Sequence, residues 1–286
     1  LKLREAFAKK AKNKYEYHNN FHVLKIEIIV LLNQRIGMKK LLYFILPERT
    51  YLTTLHRFFY LLYDIGLLKN KEAFKFHYFI KRIIQPDDVV IDIGANLGYF
   101  AKNFSRLAKN GKVVAIEPLP QFHAVLDYFI GHQDNVELHN VALGQQAGSI
   151  QMVLPQTNGM IRTGLPHIMR PEESSTTEKV QEVQMVNTAD FFHTFERIDY
   201  IKCDIEGHEW EVFRLLEDIL RNKRPIVQLE IDPKNEAALF PFFEQLDYKR
   251  YGIQGTTCKE ETTMHYGGDY LFIPTEKTNF VAKWND

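Results

Sequence analysis

Two short stretches hold residue types whose spacing could do chemistry. The first is Asp92-Ile93-Gly94-Ala95-Asn96-Leu97-Gly98, which follows the apolar run Val89-Val90-Ile91. Gly94 and Gly98 let backbone come close to a ligand, and Asn96 tolerates a positive φ. A strand that enters such a loop and then a helix is where a doubly wound sheet binds nucleotide-like ligands. Glu117 ends the next apolar run, 25 residues after Asp92. A carboxylate there can accept hydrogen bonds from both hydroxyls of a ribose. The second stretch is Asp204-Ile205-Glu206-Gly207-His208-Glu209, directly after the run Ile198–Cys203. Ionisable side chains crowded beside a glycine at a strand end are unusual for a plain connection, and ligands sit at that edge.

Each stretch has a bland alternative. The first could be a tight strand-to-helix turn, or a dinucleotide loop. Against the dinucleotide loop, Asn96 stands where a second glycine belongs and Tyr99 where a third small residue belongs. Asp92 also places negative charge where a pyrophosphate would bind, which suits an ammonium group better. In the second stretch, Glu209 and Glu211 suit a helix N-terminus through its dipole, and His208 could be a surface residue. His208-Glu209-Trp210-Glu211-Val212 is not an HExxH zinc motif, because Val212 replaces the second His. Asp204, Glu206 and His208 could ligate a divalent metal, but their spacing defines no octahedron, and a metal-free site is the preferred reading.

The elements that must position these residues are legible in outline. Candidate strands at Val89–Asp92, Val113–Ile116, Val136–His139, Ile198–Cys203, Ile226–Leu229 and Tyr270–Ile273 lack polar alternation. With helices between them, such as Gln121–Ile130 and one carrying Val212, Phe213, Leu216 and Ile219, they indicate a parallel sheet covered on both faces. Residues 144–186, with Gly144, Gly148, Gly159, Gly164 and Ser174-Ser175-Thr176-Thr177, break the rhythm and read as a hairpin or lid insertion. Residues 1–86 read as a helical cap. Thr50 would cap a helix bearing Leu52, Leu55, Phe59 and Leu62, and Asn70 one bearing Phe74, Tyr78 and Ile80.

The chain has 286 residues, a globular composition and zero net charge. That zero hides a split: residues 1–86 carry 17 Lys and Arg against six Asp and Glu, and the remainder is acidic by the same margin. The boundary near Pro86 therefore divides a basic segment, 1–86, from an α/β domain, 87–286. Two cysteines, without a CxxC pair, exclude a disulfide scaffold and a zinc ribbon. The apolar runs Ile28–Leu32 and Leu41–Pro47 are too short to span a membrane. Leu1-Lys2-Leu3-Arg4 does not open a signal peptide, so a cytoplasmic location is expected. The basic segment reads as solvated faces of packing helices, or as an attraction to an anionic acceptor or membrane surface; the apolar content of Phe21–Pro47 leaves membrane association open. No nucleic-acid signature is present: there is no RRM or zinc finger, and no Pro-Pro pair of the kind amino-methylating nucleic-acid enzymes use.

Four segments together resemble the FkbM family of S-adenosylmethionine-dependent methyltransferases. They are Val90–Tyr99, Ala115-Ile116-Glu117-Pro118, Asn140-Val141-Ala142-Leu143-Gly144, and Ile198–Glu209. The family's Thr-Leu-Asp before the fourth segment is Thr188-Ala189-Asp190 here. The resemblance covers roughly Pro86–Ile231 and implies a Rossmann-like class I methyltransferase sheet that methylates a hydroxyl on a small molecule, glycan or lipid-linked sugar. It implies that Asp92, Gly94, Ala95, Asn96 and Gly98 hold the methionine end of the cofactor and that Glu117, with Pro118, holds the ribose. Asn140, Val141 and Ala142 would flank the adenine, and Asp204 and Glu206 would face the methionine end and the acceptor. The acceptor proton would go to His208, whose ordinary pKa suits a base near neutrality, or to Glu206. The alternatives from other classes are a nicotinamide-dependent oxidoreductase and a binding protein that keeps the cofactor without catalysis. The apolar cap would also suit a homodimer.

Overall fold

Val89–Ile93 (β1), Lys112–Ile116 (β2), Val136–His139 (β3), Tyr200–Cys203 (β10) and Ile226–Ile231 (β11) form one parallel array, ordered β11-β10-β1-β2-β3. With both faces covered, β1, β2, β10 and β11 run almost entirely buried, which is why they read as continuous apolar runs, while β3 at the sheet edge is half-buried. The computed structural model describes residues 41–157, 159–173, 178–261 and 268–286. The chain divides after Tyr51 into two units, Leu1–Tyr51 and Leu52–Asp286. Residues 1–40, which hold ten of the 17 Lys and Arg of the basic segment and most of Phe21–Pro47, lie outside the described residues, as do Ser174–Thr177.

The sheet extends past β11 in a way the apolar runs do not foretell. Tyr248–Gln254 (β12), Thr257–Glu260 (β13) and Gly268–Pro274 (β14) complete eight strands, with β14 antiparallel between β11 and β12. The run at Tyr270–Ile273 is thus an antiparallel strand, not a further parallel one. β12 and β13 form an antiparallel hairpin at the sheet edge.

Helices Ala101–Leu107 (α3), Pro120–Ile130 (α4), Glu209–Phe213 (α6), Glu217–Lys223 (α7) and Pro233–Gln245 (α8) cover the sheet. The single helix expected through Val212 and Ile219 is two, because the tight bonds Leu215 N–H to Val212 O and Leu216 N–H to Phe213 O end the first. Before the sheet lie Glu48–Asp64 (α1) and Lys75–Ile83 (α2). Thr50 is not a cap but sits inside α1, which begins next to Pro47. Asn70 is not a cap either: a 3₁₀ turn, Glu72–Phe74, intervenes and Phe74 precedes α2. Across the expected boundary at Pro86 the core is continuous. Phe76, Phe79, Ile80 and Ile83 of α2 pack in one cluster with Val90, Phe104, Tyr200 and Leu271.

Residues 144–186, where the sequence suggests a hairpin or lid insertion, contribute to a second sheet. Ala142–Gly144 (β4), Gly148–Leu154 (β5), His167–Ile168 (β8) and Lys179–Asn187 (β9) are ordered β4-β9-β5-β8. A short pair, Gln156–Thr157 (β6) and Met160–Ile161 (β7), lies between β5 and β8. The helix Thr188–His193 (α5) follows β9, its N-cap Asn187 accepting from the Asp190 N–H.

Candidate functional site

The parallel strands all end at one edge, and the residues singled out in the sequence sit there. After β1 the chain turns through Gly94 (φ 75°), Asn96 (φ 54°) and Gly98 (φ 89°). Three left-handed residues in five positions are what the Gly-x-Asn-x-Gly pattern permits. A Cβ on Gly94 would meet the Asp204 carbonyl oxygen at 2.0 Å, so the loops after β1 and β10 touch through bare backbone. The Gly94 and Ala95 N–H groups donate to Ile116 O at 3.0 and 2.9 Å. The Asn96 N–H donates to Glu117 Oε2 at 2.8 Å, and the Leu119 N–H to Glu117 Oε1 at 2.8 Å. Each Glu117 oxygen therefore keeps an acceptor position for one further donor. Burial pushes this carboxyl up to about 7 against those two N–H groups.

A cleft of about 690 Å³, its open mouth included, lies along this edge. Gly94, Asn96, Glu117, Pro118, Val141, Ala142, Asp204, Glu206 and His208 all line it. Four residues expected at the site do not. Asp92 is buried below the loop, and Ala95 packs with Ala101, Ala115 and Leu126. Gly98 lies against Leu126 and His56. Asn140 donates through Nδ2 to the carbonyls of Glu117 and Pro118 at 2.8 and 2.9 Å, so it braces the turn after β2. Glu209 faces away from chemistry, accepting from Gly207 N–H at 2.6 Å and from Asn235 Nδ2 at 2.6 Å.

The second stretch forms the acidic end of the cleft. Glu206 (φ 52°) and Gly207 (φ 98°) are both left-handed, so a non-glycine residue is held in a strained backbone at the cleft wall. Its carboxyl is pushed up to about 7 by burial and by the neighbouring Asp204 and Glu209 charges. His208 Nε2 is buried with no hydrogen-bond partner among the described residues. Burial lowers its pKa, so the ring is neutral near neutrality and able to accept a proton.

Lys202 is the functional residue the sequence reading passed over. It is buried in β10, with Nζ 3.2 Å from Asp204 Oδ2 and 3.8 Å from Asp92 Oδ1. Burial pulls its pKa down, but the two carboxylates outweigh burial and hold it charged. Asp92 is itself pushed up to about 6 by burial, against the pull of Lys202. A lone lysine inside a four-residue buried strand was a readable signal of a buried carboxylate partner.

The insertion supplies the remaining wall through Met152, Gly164, Pro166 and Ile168, and Asn96 Nδ2 donates to Thr163 O at 2.5 Å. Phe122, Val141 and Leu143 make an apolar middle. The cleft thus offers a two-lobed carboxylate for a diol, apolar walls for a flat ring and an acidic end for an ammonium group. These residues fit an adenosyl amino-acid cofactor. Among the described residues, no group of three or more His, Cys, Asp or Glu side chains could hold a metal ion, and no helix is long and apolar enough to cross a membrane.

Comparison with known proteins agrees with this geometry. Residues 92–252 match the family model of the methyltransferase FkbM domain. A relative named Methyltransferase 1, from Beauveria bassiana, is 28% identical over 158 residues, covering 46% of this chain and 60% of the relative. The 2-O-methyltransferase NoeI of Sinorhizobium fredii is 31% identical over 86 residues, covering 30% of this chain and 35% of NoeI. The chain therefore spans less than two thirds of either relative. Among solved structures, the methyltransferase FkbM of Methylobacillus flagellatus aligns with a TM-score of 0.43 at 13% identity, over 66% of this chain and 44% of that one.

Proposed function

Because the chain belongs to the FkbM methyltransferase family, we propose that it transfers the methyl group of S-adenosylmethionine to a hydroxyl of a small molecule, glycan or lipid-linked sugar. The convergence of Gly94, Asn96, Glu117 and Asp204 on one cleft, from three adjacent strand ends, carries this reading. When bound, the cofactor supplies an already activated methyl group. Much of what this chain must add is then position, since well-oriented reactants gain up to about 7–11 kcal/mol. Glu117 would hold the ribose hydroxyls on its remaining acceptor positions. Phe122, Val141 and Ala142 would enclose the adenine. Asp204, held in place by Lys202, would face the ammonium end.

The acceptor hydroxyl enters beside Glu206 and His208 and loses its proton to one of them. His208 is the preferred base because its buried Nε2 has no other partner. The carboxyl of Glu206, at about 7, is the second candidate. The carboxylates Asp204 and Glu206 make this end acidic, so any anionic group on the acceptor must lie away from the reacting hydroxyl. The NoeI relative, named as a 2-O-methyltransferase, supports oxygen as the acceptor atom.

Calorimetry with S-adenosylhomocysteine and with NAD tests the cofactor. Binding of the former alone is expected, and Glu117→Ala should weaken it at least about tenfold, since two hydroxyl contacts to a carboxylate are removed. Preferential NAD binding would overturn the cofactor assignment, and unchanged affinity in the variant would overturn the ribose role. Activity should persist after chelation, whereas a strict Mg²⁺ requirement would make Asp204 and Glu206 metal ligands instead.

A further inference from the structure

The family match begins at Asp92, yet two side chains far upstream of it grip the loop that follows β1. His56 Nδ1 lies 2.7 Å from Leu97 O, and the Tyr60 hydroxyl donates to Tyr99 O at 2.9 Å. His56 is fully buried and Tyr60 nearly so. Since a carbonyl can only accept, Nδ1 carries a proton, and burial, which pushes the His56 ring down to about 3, keeps it neutral. Its ring stacks on Phe129 of α4 at 3.7 Å between centroids, which fixes the donor direction.

The contact with Leu97 continues by backbone into the site. The Leu97 N–H donates to Asn96 Oδ1 at 2.7 Å, and the Asn96 N–H donates to Glu117 Oε2 at 2.8 Å. A hydrogen-bonded chain thus runs from α1 through Leu97 and Asn96 to the carboxylate assigned to the ribose. The loop needs such support. Left-handed non-glycine backbone persists only where its surroundings over-determine it, and Asn96 is held at φ 54° between two left-handed glycines. The Ile116 carbonyl fixes the start of the loop through Gly94 and Ala95, while α1 fixes its end.

We propose that His56 and Tyr60 are positioning residues for cofactor binding, so that α1 is a working part of the site and not a cover over it. This rests on the cofactor reading above. His56→Ala would leave the Leu97 carbonyl in a dry pocket without that donor, and the loop would sample orientations that no longer present Asn96 and Glu117 together.

The test is calorimetry with S-adenosylhomocysteine on the full chain, with thermal unfolding of the ligand-free protein alongside. His56→Ala is expected to raise Kd about tenfold and Tyr60→Phe a few-fold. His56→Asn places an amide nitrogen where Nδ1 stood and should recover most of the affinity. Leu62→Ala removes a buried apolar side chain of the same helix, one that can make no hydrogen bond to the loop. It should lower the melting temperature at least as much as His56→Ala while leaving Kd within about twofold. Unchanged Kd in His56→Ala, or equal weakening by Leu62→Ala, overturns the proposal. Failure of the unaltered protein to bind S-adenosylhomocysteine overturns the cofactor reading itself, and is told apart by the unaltered protein alone.

Discussion

Glu206 concentrates the conflict between stability and function in one residue. Its left-handed backbone costs about 1–2 kcal/mol relative to a relaxed residue, and its carboxyl is partly desolvated beside Asp204 and Glu209. A glycine would relieve both at the cost of some unfolded-chain entropy. Glu206→Gly should therefore raise the melting temperature by roughly 2–4 °C while lowering turnover on a hydroxyl acceptor. A lower melting temperature would show that the carboxylate is held by contacts that stabilise the fold. The pH profile separates the two candidate bases. With His208, kcat/KM should be flat above about pH 6.5, because burial lowers its pKa; with Glu206 it should still climb through about 7. Residue types at glycine-rich strand ends were legible because such loops have few uses. Lys202 was passed over because one cation among apolar neighbours does not reveal which carboxylates it meets. Asp92, Gly98 and Asn140 show the converse: their segments reach the cleft, but these side chains lie behind it and do not line it.

At the scale of elements, the parallel strands could be read because a strand buried on both faces is an uninterrupted apolar run. The hairpin β12–β13 could not. Tyr248-Lys249-Arg250-Tyr251-Gly252 mixes charge and aromatic rings, as an antiparallel strand with one wet face does. The insertion was legible as an interruption, but its role was not. Met152, Gly164, Pro166 and Ile168 reach the cleft only through the pairing of β5 with β8 and β9, which no local pattern encodes. The Asn96–Thr163 hydrogen bond ties this insertion to the loop after β1, so cofactor binding should order both together. Amide exchange across residues 160–168 is expected to slow at least about tenfold when S-adenosylhomocysteine is added. Protection confined to residues 94–100, with none in the insertion, would mean that the insertion wall is independent of the cofactor.

For the whole molecule, the buried charges predict a stability maximum in pH. His56 and His77 are both pushed down to about 3 by burial. Their unfolded counterparts take up protons below about 6.5, so stability falls as pH drops through that range. The carboxylates act in the opposite sense. Glu117 and Glu206 are pushed up to about 7, and Glu230 to about 8 by burial and by the Asp204 and Asp269 charges. Each binds its proton more tightly when folded than when unfolded, so the stability it lends is complete below about pH 4.5 and is lost as pH rises through its folded pKa. Above about pH 6.5 the histidines are neutral in both states and the carboxylates alone set the slope. On these five groups the ligand-free protein should therefore be most stable near about pH 5, where carboxyls and histidines balance, and should decline above it, losing roughly 3–6 °C of melting temperature between about pH 6.5 and about pH 8. An ammonium group bound at the acidic end favours the ionised carboxylates. With saturating S-adenosylhomocysteine the decline should flatten, and binding near pH 7 should release protons, measurable as a dependence of the calorimetric enthalpy on buffer ionisation. A ligand-free melting temperature that is level from about pH 6.5 to about pH 8 would show that water already reaches these carboxylates. A decline that survives ligand saturation would show that the ammonium group lies elsewhere.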